Sequence, residues 1–406
     1  SRVGRAGMRL SGLVCGLLVL APGAGWALSL QFKPSVHAEV QRDDNVFRAP
    51  DSPAPGNAPR VGDTLTTLGT GARLTLRHSL QEIEVRGAYE QVNYAELDSL
   101  NYSRYEVGGQ ARLAYASFVR LKLDAGRERR QENFAYRDDA ENGFITIDQG
   151  SAELRVAVTP RWTGIAGAGY YQTQASRTAS QDYDLTENTG NLGLEYRRDG
   201  FSSLGLGLRF SDGRYPRRTV VAGDGREKNY QQQSVVTSIG YTPSGLSDLA
   251  GELAYTQRNH RDASVPDFSG FTGRARYARR FSGVSQLQLE AYRDLFYVED
   301  INANYVENLG LKATFDYRWT AKLALAVAAE RYTSSYKGTP GLTVAGAARE
   351  DEVFNIRLGA DYQPFYRFSI LPEYRYERRG SNVTNSSYDY SVIGVDLSYE
   401  YGVRNR

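Results

Sequence analysis

From about residue 34 onward the chain alternates apolar and polar residues in runs of a dozen or so, each followed by a turn. In Gln81–Tyr89, Ile83, Val85, Gly87 and Tyr89 fall on one face, and Glu82, Glu84, Arg86 and Ala88 on the other. In Leu309–Trp319, Leu309, Leu311, Ala313, Phe315, Tyr317 and Trp319 oppose Lys312, Thr314, Asp316 and Arg318. A period of two sustained over this length predicts β-strands. Eighteen such runs are countable, at 34–46, 63–77, 80–94, 103–116, 117–132, 145–159, 161–176, 186–198, 201–212, 230–242, 248–260, 268–281, 284–297, 304–319, 321–335, 351–363, 366–379 and 387–403.

The connections alternate in length. Tight turns at His78, Pro160, Asp199-Gly200, Ser282-Gly283, Thr320 and Pro364 interleave with longer loops such as 47–62, 95–102, 133–144, 177–185 and 213–229. Short turns at one end, longer loops at the other and an even strand number predict an all-β fold, an outer-membrane-type antiparallel barrel of 18 strands with both termini periplasmic. A soluble sandwich is excluded on two grounds. Its strands run to about five or six residues, and its core would have to take up the charged rows Arg73 and Arg77, Glu195 and Arg197, and Glu373, Arg375 and Glu377. Turned toward water, those rows cross-pair. The apolar face then meets lipid, where an open sheet edge is not tolerated and the sheet must close.

Aromatic residues are expected to mark the two membrane interfaces. Trp162, Trp319, Phe201 and Phe281, with Phe118, Phe365 and Tyr366, fall beside the short turns. Tyr94, Tyr102, Tyr230, Phe268, Tyr297, Tyr305 and Tyr388 fall beside the long loops and are expected to form the second girdle. In the last strand, Gly394, Leu397 and Tyr399 resemble the signal read by the barrel-assembly machinery, although Val403-Arg-Asn-Arg stands where a terminal Phe is usual.

Composition adds boundaries. The net charge is +2, from 49 basic and 47 acidic residues, so nothing favours nucleic acid. Residues 1–27 read as a signal peptide, with Arg9, the apolar Leu13–Leu20 and small residues before a cleavage site after Ala27; residues 1–7 read as an upstream extension of Met8. Residues 28–406 then form a single barrel domain. The one cysteine, Cys15, lies in the leader, which removes disulfides and thiol chemistry from the mature chain.

The expected lumen face is charged with both signs. Its candidate lining residues are Arg120, Lys122, Asp124, Arg155, Arg197, Arg209, Arg274, Arg276, Lys312, Arg318, Arg357, Arg375 and Glu373. Guanidinium forks suit sugar hydroxyls and carboxylates, while a cross-paired, water-lined wall accounts for most of these residues individually. Eighteen strands enclose an aqueous channel unless something fills it. The largest loop, 213–229, with Arg214, Arg217, Arg218, Arg226 and Lys228, is either an inward constriction or a solvated outer loop. No cofactor or metal motif is present. Gly205-Leu-Gly and Gly167-Ala-Gly lie inside strands, and His37, His78 and His260 lack metal spacing or a nucleophile–base arrangement, so an enzyme is not expected.

Residues 42–53, RDDNVFRAPDSP, end the first predicted strand. Alternation turns Asp43 and Asn45 inward and Arg42 and Asp44 outward, which makes a hydrogen-bonded strand end a better reading than a catalytic carboxylate pair. A leader, a first strand ending Asp43-Asp44-Asn45-Val46-Phe47-Arg48 and then 18 Tyr-rich strands resemble the EpsL-type, beta-barrel porin 2 family of exopolysaccharide operons. That resemblance implies export of a secreted polysaccharide across the outer membrane, among its lipid and lipopolysaccharide, alongside periplasmic synthesis and export proteins; the residues alone leave open a general or sugar-uptake porin and, less favoured, an outer-membrane enzyme or a structural barrel with a filled lumen. The architecture is also similar to the alginate-export porin, as an analogy of fold.

Overall fold

The alternation builds one closed antiparallel sheet. In the computed structural model, which describes residues 28–137, 139–218, 229–261, 265–296, 304–337 and 348–401, the strands are β1 Ser29–Asp43, β2 Asp63–His78, β3 Gln81–Tyr94, β4 Tyr102–Tyr115, β5 Val119–Gln131, β6 Phe144–Ala157, β7 Trp162–Ala175, β8 Thr186–Arg197 and β9 Ser202–Arg214. The ring continues with β10 Tyr230–Ser244, β11 Ser247–His260, β12 Phe268–Arg280, β13 Ser285–Phe296, β14 Tyr305–Arg318, β15 Leu323–Lys337, β16 Glu350–Phe365, β17 Phe368–Ser381 and β18 Tyr388–Glu400. Each strand pairs with its sequence neighbours, and β1 pairs with β18, so no edge is left open. The leader at 1–27, Tyr297, most of 213–229 and the terminal Val403–Arg406 lie outside the described residues.

One strand departs clearly from the periodicity. The alternation starts β1 at Pro34 and ends it at 46, yet it runs Ser29–Asp43. Its register with β2 begins at Ser29 and its register with β18 only at Ser35. Over 29–34 the strand is therefore paired in the ladder on one side, where a proline lacking an N–H is tolerated. It stops at Asp43 because that side chain accepts the backbone N–H of Asn45 at 2.9 Å and turns the chain.

The two faces differ as the patterning requires. Leu204, Leu206, Leu208 and Phe210 project outward from β9, and Leu206 is 61% exposed to the medium that lipid would supply. The charged face is the inner one. Tyr136, in the loop after β5, packs against Val306 of β14 and Tyr336 of β15, on the opposite side of the ring, and such a contact is made only across the interior. At the short-turn end Trp162, Phe201, Phe281 and Trp319 are all exposed on the outside.

The second girdle is not where strand ends alone place it. Tyr94, Tyr230, Phe268, Tyr305 and Tyr388 are buried, and Tyr102 packs with Tyr94 on the cluster that fills the mouth. For Tyr94, Tyr230, Phe268 and Tyr388 the reason is parity, whereas Tyr305, two residues from the outward Glu307, is covered by the ring of His260 with centres 5.7 Å apart. Tyr94 stands an even number of residues from Glu90 and Arg86, so it shares their inward face. The outward aromatic row on that side is Tyr89, Tyr170, Phe210, Tyr255 and Phe271, several residues nearer mid-strand. Beyond it the outer face becomes polar, with Arg127 forked onto Asp148 at 2.6 and 2.8 Å and Arg293 on Glu307 at 3.0 Å. The strands thus stand proud of the apolar band. Leu206→Arg, placed within that band, is expected to cost about 2–4 kcal/mol of barrel stability, read as a lower urea midpoint for folding into lipid vesicles.

Candidate functional site

The inner wall is a lattice of ion pairs laid out by register. Arg155 bonds Glu153 at 2.7 Å and reaches Glu195 at 3.3 Å, and Arg197 joins the same Glu195 at 2.9 Å. Arg209 forks onto Glu252 at 2.9 and 3.1 Å, across the intervening strand β10. Lys122 pairs with Asp124 at 3.1 Å, Arg274 with Glu290 at 3.3 Å, and Arg276 with Asp248 at 4.0 Å. Glu373 takes both Arg375 at 2.7 Å and Arg357 at 3.5 Å. Arg120, Lys312 and Arg318 stand on the same face without an ion-pair partner among the described residues. All thirteen residues expected on the lumen side have this parity. They are spread around the ring and do not converge on a centre.

What converges is the mouth at the long-loop end. The loop after β1, 44–62 (L1), does not trail into solvent. Asn45, 0% exposed, donates to the carbonyls of Ala49 and Asp389 at 2.8 Å each and accepts the Ala49 N–H at 2.9 Å. Asp44, on the outer side, accepts the Ser391 N–H and hydroxyl at 2.7 Å each. Asp44 and Asn45 thereby fasten L1 to β18 across the closing seam. Asp43 holds Arg48 through both oxygens, at 2.9 and 2.8 Å, and the guanidinium lies 3.5 Å from the centre of the Tyr390 ring. Burial opposes the Arg48 charge, but Asp43 and its hydrogen bond more than offset this, and the pKa is raised. Arg48 adopts φ = 56°, a left-handed backbone that these contacts hold in place.

L1 meets the loop after β5, 132–143 (L3). Phe47 packs edge-on to Phe134 with ring centres 5.0 Å apart. Both belong to a buried cluster with Val46, Ala58, Leu65, Val92, Tyr94 and Leu100. From this cluster L3 spans the lumen. Asn133 caps its one helical turn, Phe134–Tyr136, by accepting the Ala135 N–H at 2.9 Å. Arg379 of β17 then donates to the Ala135 carbonyl at 2.8 Å, while Tyr136 seats against Val306 and Tyr336. Arg177, in the loop 176–185 (L4), clasps L3 from above through Glu132 at 3.3 Å, Asp139 at 2.8 Å and Glu141 at 3.1 Å. In L4, burial raises the Asp184 pKa despite the Ala175 N–H and Arg217 that favour its charge.

The inward tyrosines are backed by arginines. Arg258 lies 4.0 Å from the Tyr230 ring centre, Arg349 4.4 Å from Tyr336, and Arg379 4.9 Å from both Tyr136 and Tyr388. The constriction is therefore built by L1, L3 and L4; of 213–229 the described part contributes Tyr215, buried beside Leu185 and Tyr230. Phe134, Tyr136, Arg177 and Arg379 are absent from the sequence-derived candidates. One signal for them was present, an aromatic pair in the middle of an otherwise polar loop. Among the described residues no group of His, Cys, Asp and Glu is arranged to hold a metal ion.

Comparison with solved structures gives the same architecture. The BenF-like porin of Pseudomonas fluorescens Pf-5 superposes with a TM-score of 0.52 at 11% identity, over 92% of this chain and 99% of that one. Pseudomonas aeruginosa OccK2 (OpdF), solved in complex with glucuronate, gives 0.50 at 14% identity, over 93% and 99%. At these identities the likeness is one of fold. No curated protein matches the sequence. The family described as "Putative beta-barrel porin 2" matches residues 29–401, the whole ring of strands. The chain belongs to that family: it is a porin of the Gram-negative outer membrane, a channel and not an enzyme.

Proposed function

We propose that this porin is the outer-membrane conduit for a secreted exopolysaccharide, delivered from periplasmic synthesis and export proteins. The observation that carries this reading is the sequence of surfaces along the axis. A wall of internally paired arginines and carboxylates leads to a mouth lined by arginine-backed tyrosines. Paired charges offer a chain of hydroxyls many exchangeable hydrogen bonds and few sites that trap it. Tyrosine rings, covered while the loops stay packed, would offer an apolar face to the C–H side of a pyranose once the loops are displaced, while keeping a polar tip. The first-strand motif Asp43–Arg48, with which the family resemblance began, forms the seat of the loop that narrows this mouth. Loops packed into the mouth from outside suit a valve that a polymer pushes open from the periplasmic side.

The competing use of such a channel is uptake of sugars. A deletion strain separates the two. Export predicts loss of extracellular polymer with retention of polymer or its precursors in the periplasm, and restoration by the gene in trans. Normal secretion together with slowed growth on an oligosaccharide would reject export in favour of uptake.

A further inference from the structure

We propose that the lumen carries a saccharide-binding recess on the wall formed by β3 to β7, floored by Gly108 and Gly126. This deepens the reading above and rests on its premise that sugars pass through the lumen. The recess arises from one row of the sheet. Arg86, Gly108, Gly126, Gln149 and Tyr171 are successive register partners on five neighbouring strands. The second and third members have no side chain, so between the strands that carry Arg86 and Gln149 the wall is backbone over which those two side chains lean. Interstrand spacings of about 4.8 Å make this gap roughly 14 Å from one flanking strand to the other. A cavity of about 420 Å³, lined from Glu84 on β3 to Thr189 on β8, lies over it.

Packing does not require these glycines. A Cβ on Gly108 would come no closer than 3.4 Å to any atom, and one on Gly126 no closer than 3.6 Å. Neither has the positive φ that would call for glycine. Glycine inside a strand weakens it, and a common reason for one there is the close approach of a ligand. What this pair provides is room, into which the long polar side chains of Arg86 and Gln149 lean and from which a ligand would displace them.

The rim has the chemistry of sugar recognition. On the long-loop side Glu106 and Glu128 are register partners, and Arg130 lies 3.6 Å from Glu128. Glu106 bonds Arg86 at 2.9 Å. On the short-turn side Gln110 donates to Asp124 at 2.7 Å. Planar carboxylate, amide and guanidinium groups thus encircle a flat floor, and Tyr171 closes one end. A pyranose lying on the glycines would direct its equatorial hydroxyls at this rim. The acids on both sides favour a neutral or hydroxyl-rich sugar unit over a polyanionic one. The recess lies below L3, so a sugar held there is positioned immediately before the constriction.

The test is current blockade by a defined oligosaccharide in planar bilayers holding the purified full-length protein, with maltohexaose as the neutral probe and tri-galacturonate as the acidic one. The expected result is transient blockade by maltohexaose in the millimolar range and weaker blockade by tri-galacturonate. Gly126→Leu should reduce maltohexaose binding at least tenfold, while Gly126→Ala, whose methyl fits, should change it far less. Heat-modifiable electrophoretic mobility reports that each variant has folded. Equal blockade of wild type and Gly126→Leu overturns the recess, as does a stronger response to tri-galacturonate than to maltohexaose. Neither outcome touches the export reading, which stands or falls on secretion by the deletion strain.

Discussion

A Phe134→Ala, Tyr136→Ala, Arg379→Ala variant should conduct severalfold more current than the wild type, with the barrel itself intact. The three residues are the supports of L3. Phe134 anchors its near end in the cluster with Phe47, and Tyr136 and Arg379 hold its far end to the opposite wall. Truncating a packed phenylalanine costs about 3–5 kcal/mol, more than the local stability of a surface loop usually provides. The strands keep their full ladder and their outward apolar face, so resistance to unfolding by heat in detergent should be unchanged. The readouts are single-channel conductance and swelling of proteoliposomes in oligosaccharides of increasing size. Unaltered conductance, with the size cut-off also unmoved, would show that L3 does not set the passage.

The second large effect is expected at Asp43. Asp43→Ala removes both carboxylate oxygens from a largely buried Arg48, which keeps only the Asn45 carbonyl, and leaves its charge unpaired, a change that costs up to about 3–5 kcal/mol. It also takes away the acceptor for the Asn45 N–H and frees a residue held at φ = 56°. The loss falls on L1, because the β1–β2 and β1–β18 ladders do not depend on it. Protease added outside whole cells should cut between residues 44 and 62 in the variant and not in the wild type, at sites found by mass spectrometry of the fragments. Asp44→Ala, which breaks only the bonds to Ser391, should have a smaller effect. If Asp43→Ala stays as resistant as wild type, L1 is held by its apolar cluster and not by the ion pair.

The sequence was most legible where one physical rule governed every residue. A strand between lipid and water must alternate, so all eighteen were countable. Legibility failed where two rules gave the same sequence. A tyrosine at a strand end serves a membrane girdle if it points outward and a packed mouth if it points inward. Tyr94 and Tyr230 were assigned by position along the strand, when their separation from Glu90 and from Ser234 carried the answer. The folding of L1 and L3 was harder still. Asn45 and Asp389 are brought together by ring closure, and Phe134 meets Phe47 only because two loops lean the same way; no local pattern encodes either meeting. The recess at Gly108 and Gly126 is intermediate, since it follows from register, which alternation constrains but does not specify.

For the polymer cargo proposed above, the lattice of ion pairs on the inner wall bears on how a long chain could move at all. A bare arginine would grip each passing sugar and release it slowly. Here most guanidinium groups already have a carboxylate within reach, as Arg155 has two and Glu373 serves two. A hydroxyl that displaces one partner therefore releases an acid that finds another donor nearby, and the total number of bonds hardly changes as the chain advances. Under the proposed export the wall would behave as a lubricated track, with friction set by partner exchange rather than by bond breaking. Its low resistance would depend on the evenness of the lattice more than on any one of its members.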